Sequence, residues 1–167
     1  MYNTLTLSRE GGIMEKIYKT IRISRECKYW LNELIIKKEE ELKEKKAQLI
    51  SFYENMLRNN SDFEGFSPCV SVAVSCGGIL EAAFKYTQQE EIDWDTLIGE
   101  MNVDKNKIDK NIDVGTLTPR FYLYSDVLDG LELYRSVLKS PEMQRNLMLN
   151  YVIKLVIYAY YKKIFED

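Results

Sequence analysis

The chain has 167 residues and a formal net charge of −3, and 46% of its residues are hydrophobic while 29% are charged. This composition is typical of a globular protein with one core and differs from that of disordered or fibrous chains. Because the sequence contains no histidine, it offers no Ser/His or Cys/His nucleophile and lacks the commonest transition-metal ligand. We therefore predict a protein that is not an enzyme and has no catalytic residue, metal site or cofactor.

The sequence shows no apolar signal segment, and its longest apolar run, residues 151–161, is interrupted by Lys154 and too short to span a bilayer. Cys27, Cys69 and Cys76 are odd in number and lack C-x-x-C spacing, which favours buried thiols over disulfides or a zinc site. We expect a cytoplasmic protein that makes no membrane contact.

Residues 1–13 are predicted to be a leader outside the native coding sequence. Codons for Glu10, Gly11 and Gly12 can contain a purine-rich ribosome-binding sequence, and only Ile13 separates them from Met14. We hypothesise that native translation begins at Met14. Intact-mass analysis of protein made from the native locus tests this, and a product beginning at Met1 would contradict it.

Residues 18–24 alternate between two faces, which predicts a short half-buried strand. One face carries Lys19, Ile21 and Ile23, and the other carries Tyr18, Thr20 and Arg22. Ser24 is predicted to cap an amphipathic helix whose charged middle lies between Lys37 and Lys46. The helix is expected to be unusually long or kinked and to end in the breaker-rich residues 58–68.

A second helix is predicted to follow Ser75 as its N-cap. The next stretch, residues 87–115, is polar and favours a connector with one short helix around residues 94–101. The alternating pattern then returns in residues 118–124, where Phe121 and Leu123 face one way and Arg120 and Tyr122 the other.

The second strand is expected to lead into another helix, capped by Ser125 or Asp126. Lys139, Ser140 and Pro141 interrupt that helix, and Pro141 suits the first position of a final helix reaching Phe165. This last helix is apolar on most of its circumference, which implies deep burial or a subunit interface.

TIRISRECKYWLNEL (residues 20–34), followed after an insertion by VSCGGILEAAFKY (74–86), resembles the ribbon-helix-helix DNA-binding family. RFYLYSDVLDGLELY (120–134), followed by SPEMQRNLMLNYVIKLVIYAY (140–160), resembles it a second time. The resemblance implies a mainly α fold with a short two-stranded antiparallel β-ribbon, as a tandem ribbon-helix-helix pseudo-dimer. Its units would be residues 14–88, with a long inserted helix, and 118–167, joined by a connector at 89–117. The ribbon could close within one chain or between chains.

In that family the ribbon enters the major groove of double-stranded DNA, and alternate side chains read base edges. The resemblance therefore implies five base-reading residues: Tyr18, Thr20, Arg22, Arg120 and Tyr122. Arginine and threonine suit this role, because arginine can bind guanine through two hydrogen bonds and threonine can donate, accept or present its methyl group.

The family also places the N-terminus of each second helix against a DNA phosphate. In the first copy the resemblance assigns this role to Ser75, Cys76 and Gly77, because free N–H groups and the helix dipole favour an anion. The second copy fits less well, since Pro141 has no N–H and Glu142 would repel phosphate.

Two functional hypotheses follow. The first is sequence-specific binding of double-stranded DNA, by a transcriptional repressor or a plasmid partition or relaxosome accessory protein that forms homo-oligomers. The alternative, which the acidic pI of about 5.3 favours, is a helical protein–protein interaction module that uses the ribbon only for dimerisation. In both, the helix between Lys37 and Lys46 is a candidate surface for a protein partner, and in the alternative the apolar last helix is a second functional surface. Whether Arg22 and Arg120 emerge on one face distinguishes the two hypotheses.

Overall fold

The computed structural model of the chain describes residues 6–7 and 13–166. Within this part, five α-helices and two pairs of short antiparallel strands form a mainly helical fold. Most of the predicted leader, residues 1–13, falls outside the described residues. Strand β1 (Thr6–Leu7) pairs with β2 (Ile13–Met14), and the leader hypothesis stays a prediction.

The two strands predicted from the alternating patterns pair with each other inside the same chain. Strand β3 (Lys16–Thr20) runs antiparallel to β4 (Arg120–Tyr124), and the pair is called the ribbon below. The predicted bounds of the first strand were wrong: it begins at Lys16 and ends at Thr20. Its start is set by its partner, because the last residue of β4, Tyr124, lies opposite Lys16.

Helix α1 (Arg25–Arg58) begins as predicted after Ser24, whose Oγ accepts a hydrogen bond from the Cys27 amide at 3.4 Å. The predicted unusual length is confirmed. The first part of the helix is buried, but residues 36–58, called the arm, contribute no buried side chain. The arm exposes several large apolar residues: Ile36, Phe52, Tyr53 and Met56.

Helices α2 (Cys76–Gln89) and α3 (Trp94–Asp104) were both predicted in outline. The predicted cap of α2 is confirmed, since Ser75 Oγ accepts a hydrogen bond from the Gly78 amide at 3.0 Å. Helix α3 is the short helix expected in the connector, and it packs against the last helix.

Helix α4 (Ser125–Val137) follows β4 without a loop. The predicted cap at Ser125 or Asp126 was wrong: Tyr124 is the N-cap, and no side chain provides a capping hydrogen bond. The Ser125 amide instead donates to the Glu15 carbonyl at 3.1 Å. Because the ladder of the ribbon continues into the first helical residue, the chain turns directly from strand to helix.

Helix α5 (Leu149–Glu166) begins later than predicted, so Pro141 does not occupy its first position. The segment before it is held in a non-helical path by Leu147, which is buried. The Leu147 amide donates to the Arg135 carbonyl at 2.9 Å, and Arg135 Nε donates back to the Leu147 carbonyl at 2.8 Å. These contacts with a residue of α4 are incompatible with a helix running through residues 141–148.

Helix α5 lies at the centre of the core and packs against the other four helices. Its predicted deep burial is confirmed, and the residues that bury it belong to the other helices of the same chain. The buried residues of α5 are Val152, Ile153, Leu155, Val156, Ile157, Tyr158 and Ala159. The ring of Trp30 in α1 packs at a tilt against that of Tyr158, with ring centroids 4.6 Å apart, and the Tyr158 hydroxyl donates to Asp104 Oδ2 at 2.6 Å. In the described part of the chain, the helices do not reach the length and apolarity needed to cross a membrane.

Candidate nucleic-acid interface

Alternate residues of the ribbon point to solvent and form its outer face. The inner face is core, since Phe121 is 0% and Leu123 1% exposed. Tyr18, by contrast, is 51% exposed. The outer face within the strands consists of Lys16, Tyr18 and Thr20 from β3 and Arg120, Tyr122 and Tyr124 from β4.

The register of the ribbon continues past the end of β3. The Ile23 amide donates to the Leu117 carbonyl at 2.8 Å, which keeps the spacing of the ladder and places Arg22 opposite Thr118. Arg22 and Thr118 are both exposed, and both fall on the outer face by alternation. Arg22 and Arg120 therefore emerge on one face of the ribbon.

All five residues that the sequence predicts as base-reading come together on this face. Sequence reasoning missed Lys16, Tyr124 and Thr118, which share it. Lys16 was missed because the predicted strand began too late, and alternation extended by one step would have found it. Thr118 and Tyr124 lay within the predicted second strand, but only the pairing with β3 shows that they join the same surface.

Cations and aromatic rings are interleaved across the outer face. Lys16 Nζ lies 4.7 Å from the ring centre of Tyr124 and 5.2 Å from that of Tyr122. The Arg120 guanidinium carbon is 5.9 Å from the ring centre of Tyr18, and the rings of Tyr18 and Tyr122 meet edge-on at 6.0 Å. A cation–π contact orders a basic side chain without consuming its hydrogen-bond donors. The basic side chains are thus held in place by ring contacts that do not themselves use the hydrogen-bond donors.

The outer face is locally positive although the whole chain is acidic. Lys16, Arg22 and Arg120 contribute three positive charges, and the face holds no carboxylate. Among the described residues, none of these three forms an ion pair with an acidic side chain. The net charge of −3 therefore does not describe this surface.

The first turn of α2 lies directly against the ribbon. A β-carbon at Gly77 would sit 2.3 Å from the Tyr122 carbonyl oxygen and 2.9 Å from its nitrogen, so this close approach requires glycine. The predicted phosphate-binding residues Ser75, Cys76 and Gly77 thus border the outer face at Tyr122. Amides in a first helical turn have no acceptor within their helix and attract anions.

Cys76 stands in this first turn with a half-buried thiol. Burial raises its pKa above the usual value, although the nearby charge of Lys28 acts in the opposite direction. The thiol is therefore neutral at neutral pH and does not repel a phosphate. Lys28 Nζ donates to Asn32 Oδ1 at 2.7 Å and to the Val114 carbonyl at 3.1 Å, which fixes a positive charge close to the start of α2.

The start of α5 contacts the other strand in a corresponding way. Asn150 Nδ2 donates to the Arg22 carbonyl at 3.3 Å. Because α5 begins at Leu149, Pro141 and Glu142 lie outside its first turn, and the obstacle they were expected to pose to a phosphate contact there does not arise. One turn further along, Lys154 pairs with Glu26 at 3.1 Å.

In the described part of the chain, no three His, Cys, Asp or Glu side chains are grouped as metal ligands would be. Comparisons with family models, curated proteins and solved structures found no match for this chain. The geometry of the ribbon and of the helices beside it is therefore the basis for assigning a function.

Proposed function

We propose that the chain is a tandem ribbon-helix-helix protein that binds double-stranded DNA sequence-specifically through the outer face of the ribbon. The observation that carries the proposal is the arrangement of the helices about the Thr20–Arg120 pair. Helix α1 begins five residues after Thr20, and α4 begins five residues after Arg120. This pair therefore marks a pseudo-two-fold axis that relates the two halves of the ribbon.

The second helices support the same axis. Gly77 and Asn150 are each the second residue of their helix, and each meets a carbonyl oxygen of the ribbon. The two carbonyls belong to Tyr122 of β4 and to Arg22 just beyond the end of β3, and each follows its residue of the central pair by two positions. Each second helix thus contacts the strand of the other unit, an exchange expected of a pseudo-dimer.

The chemistry of the outer face suits the major groove, which admits a two-stranded ribbon. Arg22 and Arg120 can each donate two hydrogen bonds to guanine O6 and N7, and Thr20 can donate, accept or present its methyl group. The first turn of α2 would then approach the phosphates beside the groove. A repressor and a plasmid partition or relaxosome accessory protein would share this contact chemistry.

Loss of either arginine should weaken binding to a specific site. We expect Arg22→Ala and Arg120→Ala each to cost about 1–3 kcal/mol of binding free energy, because each removes a bidentate base contact. Arg58→Ala, at the end of the arm, removes the same charge far from the ribbon and should leave affinity unchanged.

The measurement is fluorescence anisotropy with a duplex from the region upstream of the gene and a scrambled duplex, at several salt concentrations. Binding should be tighter to the first duplex and should weaken as salt rises. Equal affinity for both duplexes at every salt concentration would contradict sequence-specific recognition.

The exposed apolar residues of the arm favour a second candidate, a helical protein–protein interaction module. In this candidate the ribbon is only structural, because its two strands pair within one chain and not across a dimer. Phe52 is 62% and Met56 53% exposed, and neither belongs to the core. A Phe52→Ser variant separates the two functions: it should leave DNA affinity unchanged if the ribbon binds DNA, and it should abolish partner capture if the arm is the functional surface.

A further inference from the structure

The two ends of the outer face carry different chemistry although the backbone relates them by symmetry. About the Thr20–Arg120 pair, Arg22 is equivalent to Tyr122, and Thr118 is equivalent to Tyr18. One end of the outer face, called the arginine end, therefore presents Arg22 opposite Thr118. The other, called the tyrosine end, presents Tyr122 opposite Tyr18.

The difference continues outward from these pairs. Beyond the tyrosine end, Lys16 lies opposite Tyr124 and contacts its ring at 4.7 Å. The equivalent positions beyond the arginine end are Ser24 and Thr116, which carry neither a charge nor a ring. One end thus offers a guanidinium flanked by hydroxyl groups. The other offers an aromatic surface with the Lys16 ammonium group, and the Arg120 guanidinium of the central pair lies 5.9 Å from its Tyr18 ring.

The helix starts beside the two ends differ as well. The tyrosine end borders the first turn of α2 at Gly77. The arginine end borders Asn150 of α5, where Lys154 is already paired with Glu26. The two flanks of the ribbon would therefore hold their phosphates with unequal strength.

Identical side chains at both ends of a ribbon would read the same bases on both sides of the axis, which requires an inverted repeat. Here the guanidinium of the arginine end matches the two acceptors of guanine, whereas the rings of the tyrosine end match the methyl group of thymine. We propose that this chain reads a non-palindromic DNA site in one fixed orientation. The target would have a G·C pair under the arginine end and T·A pairs under the tyrosine end. This inference rests on the proposed DNA binding.

The first part of the test is selection of bound duplexes from a random library by the wild-type chain. We expect a consensus whose two halves differ. Two further duplexes are then built from it, each an inverted repeat of one half, and each should bind about tenfold or more weaker than the selected site, since mismatched base pairs cost affinity roughly additively.

The second part uses a chain with Tyr18→Thr and Tyr122→Arg, which places the same pair of residues at both ends. This variant should prefer the inverted repeat of the arginine-end half over the wild-type site, a reversal of the wild-type order. Circular dichroism checks that it folds. If it does not fold, Arg22→Ala replaces it and should relax selection only in the arginine-end half.

A wild-type consensus that is a perfect inverted repeat would overturn the asymmetric target and leave DNA binding standing. Equal affinity of the wild-type chain for its selected site and for either inverted repeat would have the same consequence. Failure to enrich any sequence would instead overturn the proposed function, and the asymmetric target with it.

Discussion

Replacing Gly77 with alanine should lower the free energy of unfolding by about 3 kcal/mol, because the added methyl group meets backbone that cannot rotate away. The nearest atom would be the Tyr122 carbonyl oxygen at 2.3 Å, so α2 and the ribbon must separate to make room. The same displacement moves the first turn of α2 away from the outer face. Urea denaturation followed by circular dichroism measures the change.

Gly99→Ala is the matched control for this substitution. Gly99 lies inside α3, and a β-carbon there would have no neighbour within 4 Å. We expect Gly99→Ala to be neutral or to stabilise the protein by up to about 1 kcal/mol, because alanine has fewer unfolded conformations than glycine. Equal stability of Gly77→Ala and the wild-type chain would refute the close packing of α2 on the ribbon.

Trp30→Ala should have a larger effect, with a loss of about 3–5 kcal/mol, because it removes a buried aromatic side chain and leaves a cavity. Trp30 is 1% exposed, and its side chain lies on the side of α1 that packs against α5. Its ring centre is 4.6 Å from that of Tyr158 and 6.2 Å from that of Tyr161. Thermal unfolding should show a much lower midpoint, and loss of the folded state at 37 °C would agree with the same account.

Phe52→Ala changes an aromatic residue of the same helix and serves as the control. Phe52 is 62% exposed and belongs to the arm, so its truncation should alter stability by no more than about 0.5 kcal/mol. A large loss of stability for Phe52→Ala would mean that the arm packs against another molecule.

The features that the sequence predicted correctly are local ones. Ser24 and Ser75 act as N-caps because a serine oxygen reaches an amide three residues ahead, whatever the rest of the chain does. The alternation of residues around Thr20 and Arg120 likewise depends only on strand geometry. These patterns sufficed to place Tyr18, Thr20 and Arg22 on one face of the first predicted strand and Arg120 and Tyr122 on one face of the second. Only the pairing of the strands brings the two sets together.

The features that it missed depend on distant partners. A helix starting at Pro141 agrees with the local pattern, but the contacts between Leu147 and Arg135 override it. The first strand begins at Lys16 because β4 ends opposite that residue, which no local pattern records. The pairing of the two strands within one chain is also a tertiary contact. The sequence left open whether the strands pair within one chain or between chains.

The candidate site shows the same division. The residue types of the outer face were predicted, but the contacts of Lys16 with two tyrosine rings arise only when the strands pair. The approach of Gly77 to Tyr122 joins residues far apart in the chain, and a glycine at the start of a helix does not by itself indicate it. The asymmetry between the arginine end and the tyrosine end likewise requires the observed register.

A titration of the ¹⁵N-labelled chain with its selected duplex shows whether the outer face of the ribbon contacts DNA. We expect the largest amide shifts in residues 16–22 and 118–124 and in the first turn of α2, while the amides of the arm and α3 stay unchanged. Shifts confined to the arm, with the ribbon amides unmoved at saturating DNA, would contradict this expectation.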